Sequence, residues 1–254
     1  LGTVEELENI SPKTLADAYQ DLITSNCDIY VIGDLDMDQV ANIIFKYFKN
    51  PVVKTKELPD LYVSNPAFKR VRSFSEKSKF LETNLVQLYS LDDLTEKERI
   101  TTLYFYNFLL GGGGLNTKLY QLLREKNSLC YGVKSVYLKY DNLLLIQTSI
   151  NKNDVKKAQR LIKQAFLEMK KGEFSEEELQ NAKESFIFSL NLSLDNPGGI
   201  LNNYVFHILD HLPLIEDRIK MIEEITKEEI VAVASKIKPN ISFVLEGEED
   251  HGNN

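Results

Sequence analysis

The chain is poor in the residues that usually announce chemistry. It has no tryptophan, two cysteines and three histidines among 254 residues. Cys27 and Cys130 stand far apart, without metal-ligand spacing. That argues against a thiolate metal site and points to a reducing compartment or plain buried thiols, so a cytoplasmic location is expected. No run of 18 apolar residues occurs, so no membrane-spanning helix is expected. No signal-like segment opens the chain. It begins on Leu1 rather than Met, as an excised piece of a longer polypeptide would. Positive charge is in the minority, with 30 Lys and Arg against 38 Asp and Glu, a net charge of −8. This disfavours nucleic acid or an anionic membrane as the main partner. What remains, 43% hydrophobic and 27% charged residues, is the make-up of an ordinary globular domain.

Local signals divide the chain into blocks. Ser11-Pro12 opens a helix reaching about Ile23, with Ser as cap and Pro in the first turn. CDIYVIGD, residues 27–34, reads as a short buried strand, and 37–48 as an amphipathic helix. Residues 49–68 carry Pro51, Pro59 and Pro66 and read as a linker. Strands are expected at 69–75 and 83–91, and Thr95-x-x-Glu98 opens a long helix to about 110. A helix over 117–126 then leads to a hairpin, with strands 129–139 and 143–150 joined at Asp141-Asn142. Further helices are expected at 153–171, from Ser175 to the DNPGG stop at 195–199, at 200–211, at 214–224, and after Thr226. A last strand covers 241–247. Helices and strands fall in blocks, which predicts an α+β fold.

Residues 7–33 and 222–247 share one pattern: an apolar residue, acids, Ile, a hydroxyl cap, an amphipathic helix, a short strand and Gly. The caps Ser11 and Thr226 lie 215 residues apart and the glycines Gly33 and Gly247 lie 214 apart. A repeat of that length means duplicated domains rather than a solenoid. Residues 1–68 are then the end of one module plus a linker, and 69–254 a complete second module.

Phe206-His207-Ile208-Leu209-Asp210-His211 imitates a zinc helix, because histidines four apart share a helix face. A catalytic zinc needs a third protein ligand, and few candidates follow residue 211. Asp210 is also about 1.5 Å shorter than the glutamate usual as base. A helical wheel sets Val205, Ile208, Leu209 and Leu212 on a core stripe and turns His207 and His211 toward solvent. No metal ligands are therefore assigned.

The stretch FLLGGGGLNTKLYQLLREKNSLCYGV, residues 108–133, is more informative. Glycine loses the most entropy on ordering, so Gly111, Gly112, Gly113 and Gly114 mark a close backbone approach or a moving segment. No Lys-Ser/Thr follows them, which excludes a P-loop. Arg124 falls in the last turn of the following helix, and Tyr131 stands seven residues later at a strand start. A helix end beside a strand start can present both side chains to one cleft. Guanidinium and phenol would there donate to a peptide carbonyl or its oxyanion. Arg124 paired with Glu125, and Tyr131 in the core, is the plainer alternative.

GGGGLNTKLYQLLREKNSLCYGV resembles the C-terminal module of pitrilysin/insulinase-type metallopeptidases, the inverzincins, and most of all the bacterial and mitochondrial-processing-peptidase branch. KKGEFSEEEL (170–179) and SLDNPGG (193–199) fit the same resemblance, which covers essentially the whole chain. It implies helices layered on a mainly antiparallel sheet, in tandem modules. It implies that Arg124 and Tyr131 contact a substrate carbonyl, with Gly111 to Gly114 as a substrate-binding or hinge turn. In that family zinc is held by a His-x-x-Glu-His helix, which is absent here. The resemblance thus implies the accessory half of a zinc peptidase, inactive alone. Its partners would be a peptide substrate and a catalytic homologue or preceding module that carries the zinc. The alternative implied is a non-catalytic structural or partner-binding homologue.

Overall fold

In the computed structural model, residues 2–25, 27–48 and 63–248 are described. The chain forms two compact units, residues 1–59 and 60–254.

The first unit holds α1 (Val4–Glu8), α2 (Pro12–Thr24) and α3 (Met37–Tyr47). Each starts as its sequence directs. The Ser11 hydroxyl accepts from the Thr14 amide, Pro12 occupies the first turn, and the Asp36 carboxylate accepts from the Gln39 amide. The strand expected at 27–34 does not form: these residues pair with no other strand among the described residues. A strand exists only through ladder hydrogen bonds to a neighbour, and no described residue supplies them here. The expected linker, 49–68, lies mostly outside the described residues. Its last part is tied to the second unit, where the Val63 amide donates to the Tyr140 carbonyl and Asn65 Nδ2 to the Asp141 carbonyl.

The second unit carries one sheet built from β1 (Arg72–Lys77), β2 (Thr83–Leu91), β3 (Val133–Leu138), β4 (Leu143–Ile150) and β5 (Ile237–Glu246). Its order is β1-β5-β2-β4-β3, with β1 and β5 parallel and the remaining pairs antiparallel. Two-residue alternation sets Leu144, Ile146 and Ile150 of β4 toward the core. The β3–β4 turn falls at Asn142, whose φ of 49° suits the left-handed tolerance of asparagine.

The helices are α4 (residues 98–112), α5 (118–125), α6 (Val155–Lys171), α7 (Glu176–Ser193), α8 (Pro197–Asp210), α9 (Ile215–Glu224) and α10 (Lys227–Lys236). Both α4 and α5 contain wide π turns. Phe105 of α4, Ile162 of α6 and Ile230 of α10 are fully buried in the core together with Leu85 of β2 and Ile146 of β4. Each such side chain contributes roughly 1.5–3 kcal/mol on burial. The fold is α+β, helices layered on a mainly antiparallel sheet.

Two local expectations are corrected. DNPGG both ends α7 and starts α8, because Asn196 caps the Gly199 amide and Pro197 fills the first turn. The core stripe expected on α8 is buried only in part: Leu212 is buried and Val205 half-buried, but Ile208 is 55% exposed and Leu209 38%, and Asp210 is buried in their stead.

Candidate functional site

The end of α5 and the start of β3 are joined by a tight reversal. The Lys126 amide donates to the Gln121 carbonyl, the Ser128 amide to Arg124 and the Leu129 amide to Leu123. Ser128 takes the left-handed conformation, φ 50°. The chain doubles back so that Tyr131 returns to the end of the helix that carries Arg124. One guanidinium nitrogen of Arg124, Nη1, donates to the Tyr131 carbonyl at 2.8 Å. The guanidinium also lies 4.9 Å from the Tyr120 ring centre, and its Nε is 3.9 Å from Glu125 Oε1. Thr148 Oγ1 donates to the Gly132 carbonyl and pins the strand start.

Arg124 and Tyr131 line one cleft of about 530 Å³. Tyr131 is 88% exposed, so its phenol faces solvent rather than the core. The hydrogen bond to Tyr131 uses one of the five N–H donors a guanidinium offers. The plainer alternative is present in part, since Arg124 does stand near Glu125. At 3.9 Å and partly exposed, that ion pair is weak.

Glu82 and Asn151 also line the cleft, and no local pattern marks either of them. They meet because Thr83 of β2 pairs with Ile150 of β4, a register known only once the sheet is assembled.

None of the four glycines lines this cleft. Gly111 is buried where α4 crosses β3: a Cβ there would stand 2.8 Å from Leu119 Cδ1 and 2.9 Å from Ser135 Cβ. Gly114, at φ +87°, makes the left-handed turn out of α4. Close packing and a turn therefore account for these two positions.

The histidine pair is otherwise engaged. His207 Nδ1 is 2.8 Å from the Leu212 carbonyl, and His211 ends α8 in the left-handed conformation. Asp210 pairs with Lys139 Nζ at 2.7 Å and accepts from the Tyr140 hydroxyl at 2.8 Å. These contacts fasten α8 to the β3–β4 turn and explain why a carboxylate is buried there in place of Ile208. No group of three or more His, Cys, Asp or Glu side chains that could hold a metal ion occurs among the described residues. The donor set described here does not fit the zinc of a peptidase. No helix among the described residues is long and apolar enough to cross a membrane.

Known proteins share this architecture. The Bacillus subtilis (strain 168) protein described as "Probable inactive metalloprotease YmfF" is 27% identical over 252 residues, 98% of this chain and 58% of that protein. The "Uncharacterized zinc protease YmxG" of the same organism is 25% identical over 198 residues, 77% of this chain and 47% of that one. A crystal structure of a conserved protein from Enterococcus faecalis V583 superimposes with a TM-score of 0.83 at 25% identity, covering 100% of this chain and 59% of that one. The chain thus spans less than two thirds of the length of these relatives. The family model described as "Peptidase M16 inactive domain" matches residues 9–186, reaching from the first unit well into the second, and the chain belongs to that family.

Proposed function

We propose that this chain is the accessory half of an M16-type zinc peptidase, holding a substrate peptide while the metal sits on another module or subunit. The observation that carries this reading is the common cleft of Arg124 and Tyr131. On this reading the phenol and the remaining guanidinium donors would meet one carbonyl oxygen bound there. Donors fixed in advance are worth most as negative charge develops on that oxygen. The catalytic partner would supply a His-x-x-Glu-His helix, and its zinc would polarise the carbonyl and activate water. Under the same proposal, residues 1–68 are the end of a first module and 69–254 a second.

The test is turnover by the chain assembled with a zinc-bearing catalytic partner. Arg124→Ala and Tyr131→Phe should each lower kcat, on the order of 10²-fold for a lost oxyanion donor, with KM little changed. Unchanged kcat in variants of normal stability overturns the assignment. Zinc-dependent hydrolysis by the chain alone overturns the division of labour.

A second reading is a non-catalytic, partner-binding homologue. It is favoured by the Arg124 hydrogen bond to the Tyr131 carbonyl, which serves the local turn. On that reading Arg124→Ala lowers stability, Tyr131→Phe changes nothing, and assembly with the partner is retained.

A further inference from the structure

A second hollow, of about 350 Å³, lies between α5 and α7 and shares no lining residue with the Arg124 cleft. Its lining is mixed and includes the apolar side chains Phe108, Leu122, Met169 and Phe174, the last three of them buried. Its volume falls at the lower end of the range for small-molecule sites, roughly 300–1,000 Å³. Two ammonium groups, Lys118 and Lys126, and one carboxylate, Glu178, are on its wall. Glu178 is committed elsewhere, since its Oε2 accepts the Ser175 amide at 2.6 Å in the cap of α7.

Lys118 is held in place. Its Nζ donates to the Glu173 carbonyl at 2.8 Å and pairs with Glu168 Oε2 at 3.0 Å, and both side chains are four-fifths buried. Burial pushes the Glu168 carboxyl up, but hydrogen bonds from Gln164 and Lys118 and the charges of Lys118 and Lys126 outweigh it. The group is held below its ordinary value. Glu168 therefore stays ionised and neutralises Lys118. Lys126 has no hydrogen-bond partner among the described residues, and neither do the side-chain amides of Asn116 and Asn181 on the same wall. One cation and two amides thus line the hollow at its exposed rim, with no hydrogen bond among the described residues, and the charge of Lys126 also acts on Glu168.

We infer that this hollow binds a small apolar carboxylate: the body lies on Phe108, Met169 and Phe174, and the carboxylate meets Lys126 and the amides of Asn116 and Asn181. An ionised acceptor on an ammonium group makes a stronger hydrogen bond than a neutral one, and the amides complete its shell. Such a group can come from a free aryl or alkyl acid, or from the C-terminal residue of a hydrophobic peptide.

The three methionines, Met37, Met169 and Met221, make the test direct, because only Met169 lines the hollow. The full chain, labelled with 13C at its methionine methyls, is titrated with 4-phenylbutyrate, with N-acetyl-Leu-Phe, and with the carboxamides of both. A saturable shift of Met169, with Met37 and Met221 unmoved, is expected for at least one acid. Binding by the free acid, by the peptide, or by both identifies the source and supports the site. The matching carboxamide should bind about tenfold more weakly or worse, and Lys126→Gln should weaken the acid by a similar factor. Ala182→Phe, which fills the hollow, should abolish the shift, while Arg124→Ala should leave it intact. An unmoved Met169 with every acid, in a chain whose spectrum shows it folded, overturns the proposal. So does equal affinity for acid and carboxamide.

Discussion

Helix α10 buries Ile230, Val233 and Ala234, whereas α2, which occupies the matching place in the repeated pattern, buries no side chain. The two begin alike. Thr226 accepts from the Glu229 amide and Ser11 from the Thr14 amide, and each cap amide in turn donates to the side chain of that third helical residue. They end differently. From α10 the chain enters β5, held between β1 and β2. After α2, residues 27–34 pair with no strand among the described residues. Caps and periodicity are local and form in both places. Burial and strand pairing need a neighbouring sheet, and among the described residues only the second unit has one. Under the proposed duplication, the exposed face of Leu15, Tyr19 and Leu22 is built for a sheet of its own.

The largest expected difference lies in these two apolar faces. Ile230→Ala removes a fully buried side chain and should cost about 2–5 kcal/mol in urea unfolding. Leu22→Ala changes a side chain 71% exposed and should stay within about 0.5 kcal/mol. Equal costs would break the comparison. A Leu22→Ala cost that appears only when a catalytic partner is added would sharpen it, by showing that the face is covered there.

A smaller difference is expected at the caps. Thr226→Ala should cost about 1 kcal/mol, because the helix it starts is part of the core. Ser11→Ala removes the same kind of bond from a helix with no buried face. It should lower the helical circular dichroism and leave the unfolding midpoint of the second unit unchanged. A shifted midpoint would mean that the two units unfold together.

What the sequence disclosed follows the same division. Ser11, Ser175, Thr226 and the left-handed Gly172 all act within one turn of helix, and each was legible. The sheet order was not, because it depends on partners far apart in sequence, such as Asn240 Nδ2 donating to Ser90 Oγ across 150 residues. The α8 stripe was misread for a related reason. A helical wheel ranks Ile208 above Asp210, but Lys139 and Tyr140 arrive from the distant β3–β4 turn and claim the carboxylate. Arg124 and Tyr131 were legible because seven residues of turn bring them together. Glu82 and Asn151 join that cleft only through the β2–β4 register.

The smallest expected effect concerns two capping carboxylates, Glu98 at the start of α4 and Glu6 in α1. Glu98 Oε2 accepts the Thr95 amide at 2.6 Å and pairs with Lys236 at 2.7 Å, with its side chain 16% exposed. Burial pushes this carboxyl up, yet the Lys236 and Thr95 contacts outweigh it and hold the group below 4.5. Glu6 is also held below 4.5, first by the Thr3 amide and then by the Thr3 hydroxyl, but it is fully exposed. Both shifts have one sign: the unfolded chain takes up the proton more readily, so stability is complete above about pH 4.5 and is lost as pH falls through the folded value. Of the two, only Glu98 ties α4 to another helix, α10, so only its protonation should reach the global transition. Glu98→Gln should flatten the acid side of the stability profile of the second unit, and Glu6→Gln should leave that profile unchanged. Lys236→Met leaves a mostly buried carboxylate without its cation. Stability should fall at neutral pH and the acid loss should shrink, because the folded carboxyl moves up toward its unfolded value; an acid loss of unchanged size would assign the low value to the Thr95 cap alone.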